Sequence, residues 1–325
     1  MKFSYGGQAV IEGVMMMGRR QMAVSVRAPN GEIIVKSEPL TAKIYSSKLV
    51  KLPLVRGLFL LWATLSLGIK TMSFAANVAL LDPNTKPGEE QQVESPKLSG
   101  WMMGGTLAAS LIFFIGFFFV GPSLLAEFLG GFTGNSLVVN LIEGVIRLAI
   151  FLGYLWLIGR MAEIRRVFQY HGAEHKTINA YEAGAKLEPE IVQTFSTVHT
   201  RCGTSFLLLV VVLSIIVLAP LGRPPLPILL LTRILAVPLL ATVAYEYIKW
   251  SANHYGNRLI RALMQPGLAL QKLTTREPEL EMLQVAITSL ERVLVADGLL
   301  TQEEWQLRAS RYPVRPINAE SGVAA

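Results

Sequence analysis

Residues 111–120 read Leu-Ile-Phe-Phe-Ile-Gly-Phe-Phe-Phe-Val, a run without a charged or hydrogen-bonding side chain. It forms the centre of an apolar stretch at 104–129, and further apolar stretches follow at 137–159, 203–221 and 226–248. About 20 residues of helix cross a hydrocarbon core of about 30 Å, and a helix satisfies its own backbone hydrogen bonds in lipid. Each of these stretches therefore predicts a membrane-spanning helix.

The composition of the whole chain indicates the same class of protein. The 325 residues are 52% hydrophobic and 16% charged, with a mean hydropathy of +0.44, whereas soluble domains carry about 25% charged residues. These values exclude a disordered chain and an ordinary soluble enzyme. The single cysteine, Cys202, excludes an intrachain disulfide framework. The net charge of +7 is typical of the topology signal of a membrane protein, so no nucleic-acid partner is expected.

A fifth apolar stretch, at 52–81, differs from the others because Arg56 and Lys70 interrupt it. Only residues 57–69 between them are free of charge, and so short a run suits a re-entrant or interfacial segment better than a span. We therefore predict that 52–81 enters the membrane and returns on the same side, or lies along its surface.

The basic residues indicate how the chain is oriented. Lysine and arginine are concentrated before residue 52, between 160 and 202, and after 248, whereas the turns at 130–136 and 222–225 contain only Arg223. Because cytoplasmic segments carry the excess of positive charge, both termini are predicted to be cytoplasmic, in a multi-pass protein of the cell membrane. The chain then divides into a cytoplasmic β-hairpin region at 1–51, the re-entrant or interfacial segment at 52–81, a linker at 82–103, two spans at 104–159, a cytoplasmic helical link at 160–202, two spans at 203–248 and a cytoplasmic helical tail at 249–325.

Short β signals occupy the N-terminal region. The segments 21–28 and 32–36 alternate valine or isoleucine with other residues, and Asn30-Gly31 between them is typical of a hairpin turn. In the tail, apolar residues recur at helical spacing over 280–290, and the last dozen residues are expected to be disordered. The predicted fold is thus a mainly α, polytopic membrane helix bundle with four spans, a re-entrant or interfacial segment and a small N-terminal β element on the cytoplasmic side.

The helical link contains the sequence His171-Gly172-Ala173-Glu174-His175. On a helix, positions i, i+3 and i+4 share one face, so two imidazoles and a carboxylate are presented together. H-x-x-E-H is the spacing of zinc sites in which the histidines bind the metal and the glutamate polarises a bound water. We therefore predict a divalent metal, zinc, held by His171 and His175, with Glu174 as the general base.

Further residues could complete this site. His199 and Cys202 lie at the start of the third span, and Glu182 follows His175 by two helical turns on the same face. Each of the three is a candidate for a remaining metal ligand. Arg201 is a candidate for holding a developing anion. Two alternatives to a metal site stay open. The five-residue pattern also arises by chance, and a lone cysteine is more often a small buried hydrophobe than a ligand.

Two further candidate residues lie at the end of the last span. Glu246 and His254 are eight residues apart, so they share a face if the helix continues. They would form a second polar site, although Glu246 could equally neutralise Lys249.

Besides Glu246 at the end of the last span, four charges lie within the predicted spans. Glu143 and Arg147 stand at i and i+4, and Glu127 and Arg233 are expected at a similar depth in the outer half of the bilayer. Charges at membrane depth are costly. They indicate either a structural network that holds the bundle together or a polar path for an ion or a polar substrate.

Four separated motifs resemble those of a known family. They are YGGQAVIEGVMM at 5–16, HGAEHKTI at 171–178, RCGTSF at 201–206 and QKLTTREP at 271–278. In this order they make the chain similar to the bacterial YqhQ family, a membrane family of unknown function that is often labelled a predicted metal-dependent enzyme. The resemblance extends over about 5–290 and implies placement in the bacterial inner membrane. The residues that it carries over are Gln8, Glu12, His171, Glu174, His175, His199, Arg201 and Cys202.

These observations favour one function and leave two alternatives. The favoured hypothesis is a metal-dependent hydrolase at the cytoplasmic face that acts on a membrane peptide or a lipid. The first alternative is a non-enzymatic transporter, channel or membrane assembly factor that uses the intramembrane charges. The second is a scaffold whose amphipathic tail, 277–300, binds a protein partner.

Overall fold

The computed structural model describes residues 3–40, 55–86, 100–130 and 133–317, which form a helical bundle packed against a β-sheet domain. The strands are β1 (Gly6–Val10), β2 (Gly13–Met17), β3 (Gln21–Arg27), β4 (Ile33–Pro39) and β5 (Val314–Ile317). The helices are α1 (Val55–Ala79), α2 (Gly100–Ile115), α3 (Gly121–Gly130), α4 (Ser136–Ile158), α5 (Ala162–Glu182), α6 (Pro189–Val192), α7 (Gly203–Leu218), α8 (Leu226–Asn253), α9 (Arg258–Thr274), α10 (Leu280–Ala296) and α11 (Gln302–Ala309). A π-helical turn at Gly116–Val120 joins α2 to α3, and a 3₁₀ turn at Ala219–Leu221 follows α7.

The sheet is a meander in the order β1-β2-β3-β4-β5. Neighbouring strands are antiparallel from β1 to β4, and β5 pairs with β4 in parallel. Gly31, at φ +86°, lies in the turn between β3 and β4, where Asn30-Gly31 was expected to make a hairpin. The N-terminal β element predicted from the sequence is confirmed, and it is the larger part of a five-stranded sheet.

The fifth strand corrects the expectation of a disordered end. Val314–Ile317 begins the last dozen residues, yet it pairs with β4, and the amide of Ile33 donates to the Pro313 carbonyl at 2.7 Å. The prolines that suggested disorder are compatible with an edge strand, because such a strand pairs on one side only. Residues 318–325 lie outside the described part of the chain, as do 41–54 at the end of the hairpin region and 87–99 in the predicted linker.

Both faces of the sheet are buried, and successive side chains alternate between them. Val14, Met16 and Ala23 belong to one hydrophobic core together with α5 and α10. Met15 and Val24 belong to a second core on the opposite face, together with the C-terminal part of α1. The consecutive methionines are therefore packing residues of two different cores.

The apolar face of the C-terminal tail is used within the chain itself. Leu283, Ala286 and Leu290 of α10 are fully buried in the core that covers the sheet. The helical spacing over 280–290 was thus a signal for core packing, because burial of this stripe is what attaches α10 to the sheet. The scaffold hypothesis requires this face to be available to a protein partner. It is instead buried within the chain.

α1 is one uninterrupted helix over Val55–Ala79, so these residues contain no re-entrant turn, and the alternative that the segment lies along the membrane surface stays a prediction. Both of its charged side chains have partners that are distant in the sequence. Arg56 Nε donates to Glu246 at 2.6 Å, and Lys70 donates to Glu38 at 2.5 Å. The N-terminal part of α1 lies against α8, and its C-terminal part packs on the sheet through Phe74, Ala75 and Val78.

Five helical segments of the described chain are long and apolar enough to cross a membrane. They are Arg56–Ala79, Ala108–Gly130, Ser136–Ile158, Gly203–Leu221 and Pro227–Asn253. Four of them coincide with the apolar stretches at 104–129, 137–159, 203–221 and 226–248, and the fifth is α1. Large apolar side chains such as Phe128, Leu157 and Leu235 are exposed on these helices. Soluble monomers rarely expose extensive apolar surfaces, so the helices indicate a multi-pass membrane protein.

Candidate metal centre

α5 presents the H-x-x-E-H residues on one face because it is a regular helix over Ala162–Glu182. His171, Glu174 and His175 line a cavity of about 90 Å³, whose other walls include β1 and the start of α7. Glu174 is 4% exposed and His175 is 1% exposed, so both groups are shielded from water. The centroids of the two imidazole rings lie 4.4 Å apart.

Backbone carbonyls orient both imidazoles. Nδ1 of His171 lies 2.8 Å from the carbonyl oxygen of Thr274, and Nδ1 of His175 lies 2.6 Å from that of Thr197. A carbonyl only accepts, so each Nδ1 carries the proton and donates it. In the neutral ring each Nε2 then has a free lone pair, which is the arrangement of histidine ligands at metal sites. The two threonine carbonyls are backbone atoms, which every residue has, so no sequence signal identified them.

Cys202 adds a third donor to the two imidazoles. Its Sγ lies 3.3 Å from Nε2 of His171, and one ligand atom from each of His171, His175 and Cys202 lies within 4.8 Å of the others. Cys202 is buried and caps the N-terminus of α7, where its Sγ accepts from the amide of Thr204 at 3.5 Å.

Glu174 reaches the same cavity, with Oε2 3.6 Å from Nε2 of His175 and 4.0 Å from Nε2 of His171. Strand β1 passes beside it at Gly7. A β-carbon on Gly7 would lie 2.9 Å from Cγ of Glu174 and 2.5 Å from the carbonyl oxygen of Met15. Only a glycine permits this approach, so the first sequence motif is explained in part by the packing of a strand against Glu174.

Gly172 permits a similarly close approach to α5. A β-carbon there would lie 2.1 Å from the carbonyl oxygen of Arg276, whose amide in turn donates to the Phe168 carbonyl at 2.9 Å. The segment that follows α9 therefore lies directly on α5. This contact accounts for the QKLTTREP motif, because it brings the Thr274 carbonyl to His171.

His199 and Arg201 also line the cavity. Gln271 holds the backbone of His199, accepting from its amide at 2.9 Å and donating to its carbonyl at 2.8 Å. The His199 ring lies 5.6 Å from that of His175 between centroids, outside the group of three donors. Glu182 does not line the cavity and accepts from Arg201 instead. The imidazole of His199 and the guanidinium of Arg201 hold the pKa of the Glu182 carboxyl below its usual value.

Gln8 and Glu12, which the family resemblance carried over, face other parts of the fold. Alternation along β1 turns Gln8 away from the cavity, and its amide packs against Gly68 of α1. Glu12 lies in the turn between β1 and β2 at φ +51° and accepts two hydrogen bonds from Arg166, at 2.5 and 2.6 Å. Both residues attach the sheet to neighbouring helices.

Glu246 and His254 do not meet each other at the end of α8. Glu246 is paired with Arg56 of α1, and Nδ1 of His254 lies 2.8 Å from the carbonyl oxygen of Trp250. Neither residue lines the cavity beside His171 and His175. The helix ends at Asn253, so the face that the sequence extended to His254 is interrupted there.

A second polar cluster lies at the opposite end of α7, about 25 Å of helix away from Cys202. We call it the arginine network. Its members are Glu127, Asn140, Glu143, Arg147, Arg223 and Arg233. The buried carboxylate of Glu143 lies 2.6 Å from Arg147, 3.1 Å from Arg223 and 3.4 Å from Arg233. The structure therefore brings together the four intramembrane charges considered from the sequence.

Two members of the arginine network and one backbone partner were missed from the sequence. Arg223 lies in a turn and Asn140 is uncharged, so neither counted among the intramembrane charges; Asn140 Oδ1 accepts from Arg223 at 3.1 Å. Arg147 Nε also donates to the carbonyl of Phe118 at 3.1 Å. That carbonyl lacks an α-helical donor, because Pro122, four residues later, has no N–H group.

Comparison with known proteins gives two matches. The family model described as "Protein of unknown function (DUF1385)" matches residues 52–296. The chain is 32% identical over 305 residues to the "Uncharacterized protein YqhQ" of Bacillus subtilis (strain 168), which covers 93% of this chain and 95% of that relative. No solved structure matches significantly. The family match extends from α1 to the end of α10, and it includes the three donors and the arginine network.

Proposed function

The chain belongs to the DUF1385 family of proteins of unknown function, and we propose that it is a membrane-bound, metal-dependent hydrolase whose zinc ion is held by His171, His175 and Cys202. The observation that carries this proposal is the convergence of two imidazoles and a thiol within 4.8 Å of one another. Catalytic zinc sites use three protein ligands, histidine and cysteine among them, and keep the fourth position open. Magnesium and calcium prefer oxygen ligands, so this set favours zinc.

The side chains around the donors supply proton transfer and charge balance. A zinc ion bound by such a set lowers the pKa of water and polarises a carbonyl or phosphoryl oxygen. Glu174, with Oε2 within 4.0 Å of both imidazoles, is the general base that takes the proton of the attacking water and returns it to the leaving group. Arg201 lines the cavity and balances the negative charge that develops on the substrate.

The position of the cavity supports a substrate that is part of the membrane. Cys202 immediately precedes α7, at which one of the candidate spans begins. Next to it, α9 exposes Leu259 and Leu263 beside Arg258 and Arg261, a pattern typical of a helix that lies in a lipid interface. An amide, ester or phosphoester bond of a membrane peptide or lipid would reach the cavity from the bilayer. The basic segments that flank the site support a cytoplasmic location.

Metal analysis of the detergent-purified protein tests the metal site. We expect about one equivalent of zinc per chain when chelators are avoided, and a loss of most of that zinc in His171→Asn and in His175→Asn. His254→Asn is the matched control, because His254 lies outside the cavity. Less than a tenth of an equivalent of any transition metal in the parent protein would remove the proposal.

A Glu174→Gln variant separates the metal from the chemistry. We expect it to retain zinc and to lose hydrolysis of phosphatidylglycerol vesicles or of labelled membrane peptides by at least about 100-fold, because general-base catalysis contributes about that factor. If the parent hydrolyses none of these substrates while it binds zinc stoichiometrically, the site is structural and the hydrolase proposal fails.

The arginine network supports a second candidate, a transporter or channel. Three arginines surround the buried carboxylate of Glu143, which is 1% exposed, and charges at membrane depth often mark a path for ions or polar solutes. The competing interpretation is a purely structural network, since Arg147 and Arg233 are also bound to backbone carbonyls of neighbouring elements. The two interpretations predict different behaviour of the Glu143→Gln variant.

A further inference from the structure

Strand β1 forms an edge of the sheet next to the candidate metal centre. It is the first strand in the sheet order, so among the described residues it pairs with β2 on one side and with no strand on the other. Gly6 and Gly7 of β1 line the cavity that contains Glu174. An edge strand presents a row of unpaired N–H and C=O groups, which is a template for pairing with another chain.

The hydrogen bonds between β2 and β3 determine where β2 directs its backbone groups. The amide of Arg27 donates to the Glu12 carbonyl at 2.8 Å, and Gly13 is paired with Val26 just inside this bond. In an antiparallel pair, residues that bond to the partner strand alternate with residues that do not. Gly13 therefore makes no bond to β3 and turns its N–H and C=O groups toward Val10 of β1, with which it is paired.

The same alternation along β1 leaves two residues whose backbone groups point outward. Val10 and Gln8 bond to β2. The N–H and C=O groups of Gly7 and Ala9, which alternate with them, therefore face the edge, and no hydrogen bond in the described part of the chain reaches these outer groups. Gly7 is exposed, Ala9 is partly exposed, and β1 contains neither a charged residue nor a proline, which commonly protect an edge.

A strand added to this edge would lie beside the candidate metal centre. The helix that carries the H-x-x-E-H residues, α5, packs against β1. A β-carbon on Gly7 would lie 2.9 Å from Cγ of Glu174, whereas a β-carbon on Gly6 would have no atom within 4 Å. Because neighbouring strands are about 4.8 Å apart, a chain bonded to Gly7 and Ala9 would bring its own backbone carbonyls to the cavity.

We propose that β1 binds an extended peptide by strand addition and that a peptide bond of this segment is the substrate, an inference that rests on the proposed function and selects a membrane peptide over a lipid. An extended peptide supplies N–H and C=O groups to one side at every second residue, as the outer groups of Gly7 and Ala9 require. Acyl chains have no such groups.

The reaction is the hydrolysis of an amide. The oxygen of water adds to the carbonyl carbon, the C–N bond breaks, and Glu174 transfers the proton of the water to the leaving amine. The products are a carboxylate and an amine, so no further reactant is needed.

Peptide binding to the full-length Glu174→Gln protein in lipid nanodiscs tests strand addition separately from hydrolysis. The probes are fluorescein-labelled nonapeptides that alternate valine with threonine, leucine with serine, or phenylalanine with glutamine, and binding is measured by fluorescence anisotropy. Each peptide is also prepared with a single backbone N-methyl group at successive central positions. We expect saturable binding of at least one peptide. N-methylation should weaken it by at least about tenfold at every second position and have little effect between, because only alternate N–H groups face β1.

The outcomes separate this inference from the proposed function. The absence of saturable binding by all three peptides, or equal sensitivity to N-methylation at successive positions, would overturn strand addition. Absent binding together with a dimeric protein would assign the edge to β1 of a second copy. Alternating sensitivity, combined with a parent protein that cleaves none of the bound peptides, would support strand addition and remove the hydrolase.

An Ala9→Pro substitution in the Glu174→Gln protein tests the edge from the other side. Proline removes the outer N–H group of Ala9, and edge strands tolerate proline where that group faces outward. We expect peptide binding to weaken by at least about tenfold and the zinc content to stay unchanged. Ala9→Ser, which keeps the N–H group, is the matched control. Unchanged affinity in a folded Ala9→Pro protein would place the peptide elsewhere. If that variant does not fold, the N-methylated peptides decide the question alone, because they leave the protein unaltered.

Discussion

Gly172 is the residue on which the geometry of the candidate metal centre depends most directly. Any side chain at this position meets the carbonyl oxygen of Arg276, a backbone atom that cannot rotate away. The carbonyl of Thr274, two residues earlier, is the group that orients His171. A displacement of this segment would therefore turn the imidazole as well as loosen the packing.

We expect Gly172→Ala to lower the free energy of unfolding by about 1–3 kcal/mol, which is typical of overpacked positions, and to reduce zinc affinity. Thermal unfolding followed by fluorescence and a zinc titration would measure the two effects. Gly153→Ala is the control, because Gly153 of α4 has open space around it. A Gly172→Ala protein as stable and as zinc-loaded as the parent would mean that the segment after α9 moves without cost.

Cys202 and His199 can be ranked as ligands by substitution. Cys202→Ser is expected to lower zinc affinity by more than about tenfold, because even the loss of a group that only orients a ligand costs about 10–100-fold. His199→Asn should have the smaller effect, since its ring lies outside the three-donor group. Competition with a chromophoric zinc chelator measures both constants, and the reverse order would place His199 rather than Cys202 in the ligand set.

Among the elements, α9 connects the candidate membrane spans to the candidate metal centre. Its buried side, with Leu268 and Gln271, packs toward α7 and the His199 backbone, while Leu259 and Leu263 are more than half exposed. This division is typical of a helix that lies at the surface of a bilayer.

Spin labels attached to α9 would locate it relative to the lipid. In a Cys202→Ser background, which removes the chain's one cysteine, we expect a label at Leu263→Cys to be more accessible to oxygen than to a water-soluble nickel complex. A label at Lys272→Cys, on the same helix, is the control and should show the opposite preference. Equal accessibility at the two positions would contradict an interfacial α9.

The contact between α10 and α11 contains a buried carboxyl group whose protonation affects stability. Burial raises the pKa of Glu291, and the pairing with Arg308 only partly offsets that effect. A carboxyl with a raised pKa in the folded state binds its proton more tightly there than in the unfolded chain. Its contribution to stability is therefore complete below the unfolded pKa of about 4.3 and is lost as the pH rises through the folded value.

We expect Glu291→Gln to raise the melting temperature at pH 7.5 and to leave it nearly unchanged at pH 4, because glutamine resembles the protonated acid. The lost pairing with Arg308 costs little, since that side chain is 42% exposed. Glu303→Gln, at an exposed position of α11, is the control. Melting temperatures should be measured across this pH range. A Glu291→Gln protein that melts below the parent at neutral pH would show that the ion pair outweighs the cost of burial.

At the scale of the whole molecule, the arginine network joins the helices of the bundle at the end opposite the candidate metal centre. Glu143 of α4 is within 3.4 Å of arginines from α4, the turn after α7, and α8, and Arg223 extends the connection to Glu127 of α3. Buried charges of this kind are tolerated only when each has a partner, so loss of the central carboxylate leaves an excess of positive charge.

Glu143→Gln is expected to destabilise the protein by about 3–5 kcal/mol, the usual cost of an uncompensated buried charge. Glu127→Gln should cost less than about 1 kcal/mol, because its side chain is 62% exposed. Stability in detergent and ion flux in proteoliposomes should be measured on the same preparations. A Glu143→Gln protein of parental stability that has lost a flux shown by the parent would support transport instead of a structural network.

The candidate site was predictable in part from local spacing. The face shared by His171, Glu174 and His175 follows from helical periodicity, which neighbouring residues determine among themselves. Spacing did not predict that Cys202 would join this face and that Glu182 would not. That outcome depends on where the start of α7 meets α5. The role of Glu12 was also not predictable from spacing, because its partner Arg166 is 154 residues away in the sequence.

The sequence alone determined the apolar helices, the N-terminal strands and the helical face of α5, because hydrophobic length and periodicity act between residues close together in the chain. Only the tertiary structure decided the continuity of α1, the pairing of β5 with β4, and the proximity of a thiol to two imidazoles. Each requires a partner from a distant part of the chain: Glu246 for Arg56, Ile33 for Val314, and Cys202 for His171. Such contacts arise from the packing of whole elements, and no local pattern of residues contains that information.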